Sequence, residues 1–151
     1  MRPGILIVGF CVSLGLGGCP STGTETSNVC GDETRSQTYV EGVTAASESD
    51  YSVQLMSADP APPNVNENLW ALNITDASEM GVEGCTATLT PFMPDHGHGS
   101  SATPSWVERS DEAGYYDTDV LFIMPGYWEV TVELDCGGDA SEHLFAFCAE
   151  G

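Results

Sequence analysis

The sequence predicts an all-β fold, an immunoglobulin-like β-sandwich of about seven strands. Three observations predict it. Apolar and polar residues alternate with a period of two through most of the chain after Asp50. Clusters of Gly, Pro, Asp and Asn break the alternating runs at short intervals. Between residues 30 and 151 no stretch carries the periodicity of a helix. Short strands separated by turns are the pattern of an antiparallel sandwich.

The elements follow in order. A short strand is expected at Gln37–Glu41. Tyr51, Val53 and Leu55 then alternate with polar neighbours. Leu69–Thr75 places Trp70, Leu72 and Ile74 on one face, and Cys85–Thr90 does the same with Cys85, Ala87 and Leu89. A weak strand lies near Trp106–Arg109. Tyr115–Met124 sets Val120, Phe122 and Met124 on one side. Tyr127–Leu134 is the clearest run: Trp128, Val130, Val132 and Leu134 point one way, Glu129, Thr131 and Glu133 the other. His143–Cys148 closes the chain. Turns are expected at 59–63, 76–84, 95–104, 111–114, 125–126 and 137–139. Trp70, Trp106 and Trp128 are read as packing the sandwich.

The first residues read as an export signal. Arg2 precedes an apolar run from Ile5 to Leu16, too short for the roughly 20 residues of a membrane span. Leu16-Gly17-Gly18-Cys19 resembles a bacterial lipobox, in which the cysteine carries diacylglycerol and becomes the first mature residue. Residues 1–18 are then a signal peptide, 19–36 a flexible tether and 37–151 the folded domain. The alternative is an ordinary signal cleaved near Gly18, with Cys19 incidental. Residues 20–29 are small and polar, as a tether requires. Pro20, where retention in the inner membrane favours Asp, leans toward the outer membrane, facing the periplasm or the cell surface. Two or more acyl chains hold a protein stably on a bilayer, so the lipid on Cys19 is the expected membrane partner.

Export bears on the cysteines. With Cys11 in the signal and Cys19 lipidated, Cys30, Cys85, Cys136 and Cys148 remain, an even number in an oxidising compartment. No Cys-x-x-Cys pair supports a thiolate metal site. Counting strands from Tyr51, the third begins with Cys85 and the sixth ends with Cys136. In a sandwich of this type these strands are antiparallel neighbours, and both cysteines share inward parity. The expected pairs are therefore Cys85 with Cys136 and Cys30 with Cys148.

The charge is lopsided. There are 23 Asp and Glu against three Arg and no Lys, a formal net charge of −20. Nucleic acid and anionic lipid are excluded as partners on this ground, and a soluble monomer is expected. Acidity alone does not make a cation site.

One stretch is chemically unusual: Pro91-Phe92-Met93-Pro94-Asp95-His96-Gly97-His98-Gly99-Ser100. It holds two of the three His, with Gly on both sides of His98. The up-and-down strand order brings this loop to the same end as Met124-Pro125-Gly126. Met93, His96, His98 and Met124 are thus the candidate metal ligands. Thioether and imidazole together suit copper, above all Cu(I). Asp95 would instead complete a Cu(II) or Zn(II) site. The plain alternative is an exposed Gly-rich turn, with Met93 and Met124 in the core.

The combination Met93-Pro-Asp-His-Gly-His-Gly, Gly114-Tyr115-Tyr116 and Phe122-Ile-Met-Pro-Gly-Tyr-Trp-Glu-Val resembles the YtkA-like/FixH-like exported domains, over roughly Asn68 to Phe147. The resemblance implies an immunoglobulin-like sandwich and a loose link to periplasmic copper handling and oxidase assembly. It maps the Met-Pro, His-Gly and Met-Pro-Gly segments onto Met93, His96, His98 and Met124. The four mature cysteines and the lipobox depart from that pattern, so a partner of other members need not carry over.

No catalytic constellation appears, and an enzyme is not expected. His143 falls in the last strand, away from the loop. Ser100 and Ser101 lack a nucleophile elbow. Acidic residues are too common for one pair to stand out as acid and base. Asn73-Ile74-Thr75 matches a glycosylation acceptor by chance in a bacterial chain. Two functions remain: a membrane-anchored copper-binding module for delivery or buffering, or a non-metal module that recognises another envelope protein.

Overall fold

The computed structural model describes residues 28–151, so the expected signal peptide, Cys19 and the first part of the expected tether lie outside the described residues. The described chain is all β. Its strands are β1 (Val43–Thr44), β2 (Ser52–Asp59), β3 (Asn66–Thr75), β4 (Thr86–Met93), β5 (His98–Gly99), β6 (Val107–Glu108), β7 (Tyr115–Phe122), β8 (Gly126–Cys136) and β9 (Asp139–Ala149). They form two antiparallel sheets, ordered β1-β2-β3-β7-β6 and β5-β4-β8-β9. Neighbours that are not consecutive in the chain, β3 with β7 and β4 with β8, mark crossovers between the two sheets, as in a Greek-key sandwich.

Period-two patterning builds the core. On β7, Tyr116, Thr118, Val120 and Phe122 are buried and their neighbours are half-exposed. On β8, Trp128, Val130, Val132 and Leu134 turn inward, as the alternation requires. Trp70 of β3 crosses the interior and sets its ring edge-on to Phe122, Phe145 and Phe147 at 5.6–6.4 Å. Trp106 is half-buried and stacks on Tyr116, with centroids 4.6 Å apart.

Two details differ from expectation. There are nine strands rather than about seven, because β1 and β5 are two-residue strands too short to show alternation. The strand expected at Gln37–Glu41 is not formed; the strand is Val43–Thr44. Gln37 is used otherwise. Its N–H donates to Ala146 O (2.7 Å), and its amide side chain accepts from Ala146 N and donates to Thr44 O. It splices the N-terminal segment onto the edge of β9 one residue at a time.

Both expected disulfides are present. Cys85–Cys136 joins the start of β4 to the end of β8, beside the register pair Thr86 and Asp135. Cys30–Cys148 ties the N-terminal segment to β9. From Cys30 onward that segment is a strap fastened to the sandwich. Arg35 lies on it, its guanidinium 4.0 Å over the Tyr127 ring.

Candidate metal centre

The site is built on the β4–β5 hairpin. Met93 and His98 are register partners, and Pro94 to Gly97 form the turn between them. His96 N–H and Gly97 N–H both donate to Met93 O, at 3.2 and 2.9 Å. Closing the turn needs Gly97 at φ 69°, in the left-handed region that favours glycine. The Gly-rich spacing therefore has a backbone cause. A consequence is that the two imidazoles come together: the His96 and His98 rings are 5.7 Å apart and nearly perpendicular. His96 is exposed and His98 half-buried.

His98 Nδ1 lies 3.3 Å from Gly99 O. In the tautomer protonated at Nδ1 the ring donates to that carbonyl, and Nε2 carries the lone pair.

Register partners share a face of the sheet, so His98 and Met93 do. Met93 is 2% exposed. Its Cε rests against the Gly126 backbone, where any Cβ would collide with it. Both loops expected at one end of the sandwich do meet there. Met124 is half-buried against the core and joins the group through its carbonyl oxygen, which accepts from Trp128 Nε1 at 3.0 Å.

Trp128 is the residue that sequence reasoning missed. It was assigned to the core, and it is fully buried, but its ring also stands 6.2 Å from that of His98. The register explains this. Phe92 pairs with Glu129, so Met93 is level with Trp128 across β4 and β8. His98, Met93 and Trp128 thus form one row across three neighbouring strands. Inward parity on β8 was the available signal; the neighbour two strands away was not.

Asp95 is engaged elsewhere. Arg35 donates to both of its oxygens, at 2.8 and 2.7 Å, and also to the Glu33 carboxylate. These hydrogen bonds hold the Asp95 and Glu33 carboxyls below the usual carboxylate range. Burial, with a hydrogen bond to Glu129, pushes the neighbouring Tyr127 up to about 12. Among the described residues no three His, Cys, Asp or Glu side chains converge as a metal site. The hairpin brings two imidazoles together and sets Met93 on the same face of the sheet as His98.

His143 is far from this group. It sits on β9 opposite Val132, 1% exposed, with Nε2 2.9 Å from Ser141 Oγ. Its Nδ1 has no partner among the described residues, and burial lowers its pKa. Ser100 is a turn residue whose hydroxyl accepts from Ala102 N–H.

No curated protein matches the chain. A family model described as YtkA-like matches residues 45–133, from the loop after β1 into β8, and so spans the whole hairpin, Met124 and Trp128. The match covers more than half of the sequence and includes every residue of the row just described, so the chain belongs to the YtkA-like family.

Proposed function

We propose that this protein is an envelope lipoprotein, anchored through Cys19, whose YtkA-like sandwich binds copper for delivery or buffering without catalysing a reaction. The observation that carries this is the β4–β5 hairpin: two neighbouring imidazoles on the strand pair that carries a buried methionine. Soft sulfur with imidazole is a donor set for copper. The strong negative charge draws cations toward the surface without selecting among them. The test is titration of the full chain in detergent with Cu(I) and Cu(II). His96→Ala/His98→Ala is expected to lose binding at least tenfold. Unchanged affinity in the double variant would remove the claim. Mass spectrometry of the protein from its native membrane, showing diacylglycerol on Cys19, tests the anchor.

A second reading, a non-metal module for another envelope protein, is favoured by the outer face of the β1-β2-β3-β7-β6 sheet. A groove of about 580 Å³ runs there, lined by Leu69, Ala71 and Val107 and by Asp59, Glu67 and Asp119, with Arg109 also in its lining but paired to Asp117. Leu69 and Val107 are more than half exposed. Such a groove suits a partner segment with apolar residues flanked by Lys or Arg. If a partner crosslinked in intact envelopes is lost in Leu69→Asp, and no metal binds, this reading replaces the first.

A further inference from the structure

We infer that Trp128 faces the bound ion and makes this a site for a monovalent soft cation, Cu(I) or its analogue Ag(I), rather than for Cu(II) or Zn(II). This rests on the copper-binding reading and goes beyond it by naming the residue that selects the monovalent ion.

Three observations carry the inference. The first is the row of His98, Met93 and Trp128 on the inner face of one sheet. An ion bound by His98 and Met93, neighbours in this row, lies beside the indole. Trp offers the strongest cation–π face of any side chain, and its effect grows where water is excluded. Trp128 is fully buried and backed by Phe122, with ring centroids 5.3 Å apart. Its N–H is committed to Met124 O, which fixes the ring in place.

The second observation is the set of donors that is not offered. Divalent copper prefers tetragonal nitrogen and oxygen ligands, and zinc a closed tetrahedron that commonly includes thiolate or carboxylate. The one carboxylate in the turn, Asp95, is held by both arms of Arg35. All four described cysteines are in disulfides. A divalent ion would have to complete its shell with water against an indole and a phenyl ring. A monovalent ion accepts two or three soft donors and loses less solvation on entering apolar surroundings.

The third is Gly126. Only its missing side chain lets Met93 Cε lie where it does, so the thioether stays in the row instead of being pushed toward solvent.

The experiment uses the purified full chain, with Ag(I), Cu(I) under a non-thiol reductant, Cu(II) and Zn(II) as probes. Equilibrium dialysis gives affinities, and the indole signals of Trp128 are followed by NMR. Ag(I) and Cu(I) are expected to bind at one equivalent and to shift the Trp128 ring resonances while leaving those of Trp70 unmoved. Zn(II) and Cu(II) are expected to bind at least a hundredfold more weakly. Trp128→Phe keeps an aromatic ring but weakens the cation–π face, and should cost about tenfold in Ag(I) affinity. Met93→Leu keeps the apolar shape and should cost more. If Cu(II) or Zn(II) binds as tightly as Ag(I) through His96 and His98, or if the Trp128 ring signals of the unaltered protein do not respond, the inference is overturned while copper binding stands. If none of the four ions binds, both fall.

Discussion

At Gly126 the space that a methyl group would need is already filled by Met93 Cε. Its φ of 135° lies in a region open to glycine and strained for other residues. Gly126→Ala should therefore lower stability by about 1–3 kcal/mol and also expel the Met93 side chain. The expected result is a lower Tm together with a loss of Ag(I) affinity matching that of Met93→Leu. Gly97→Ala differs, since nothing stands within 4 Å of its missing side chain. Only the strain at φ 69° remains, and its expected cost of about 1 kcal/mol should show as a smaller fall in Tm. His143 makes a separate point at this scale. Burial lowers its folded pKa below the 6.5 of the exposed group, so the unfolded chain binds the proton first as pH falls. Stability is full above about pH 6.5 and is lost as pH drops through that value. Tm of the unaltered protein should fall between pH 7.5 and 5 relative to His143→Leu, whose profile should lack this step; parallel profiles would contradict it.

Among the elements, the strap from Cys30 to Gln37 shows what one sequence conceals. The long strands were legible because β2, β3, β7 and β8 each bury one face, and period-two alternation follows from that. The Cys85–Cys136 bond was legible because parity and strand order restrict it. β1 and β5 were not, since two residues carry no period. Nor was the Arg35–Asp95 pair legible: the partners are 60 positions apart, and only the fold brings them together. The same holds for His98 and Trp128, which meet across an intervening strand. The site's hairpin was local and readable, while its clamp and its wall were not. Arg35→Gln should free the turn, seen as faster hydrogen exchange at the His96 and Gly97 amides. Because the pair is exposed, global stability should change little. Removing Cys30–Cys148, which closes a separation of 118 residues, should cost roughly 2–5 kcal/mol on denaturant unfolding, as for other long-loop bonds.

For the whole molecule the dominant quantity is charge. A net −20 with only Arg35 and Arg109 as cations among the described residues means that acidic groups repel one another across the surface. Screening should relieve this, so Tm is expected to rise as NaCl goes from 0.01 to 0.5 M. A falling Tm would show that the ion pairs of Arg35 and Arg109 outweigh the repulsion.

The Cys30–Cys148 bond also fixes where the N-terminal segment joins the sandwich. Cys148 is the register partner of Tyr127, so Cys30 is held at the end of the sandwich that carries Gly126, Met93 and the two imidazoles. In the proposed lipoprotein the stretch from Cys19 to Cys30 reaches at most roughly 40 Å when fully extended, at about 3.6 Å per residue. The segment thus joins the domain at the end that carries the hairpin, so in the proposed lipoprotein that end, rather than the opposite one, is held within the tether's reach of the bilayer. A protein that exchanges an ion with the hairpin would be reached most readily within the membrane that bears the lipid, by lateral diffusion rather than from the bulk fluid.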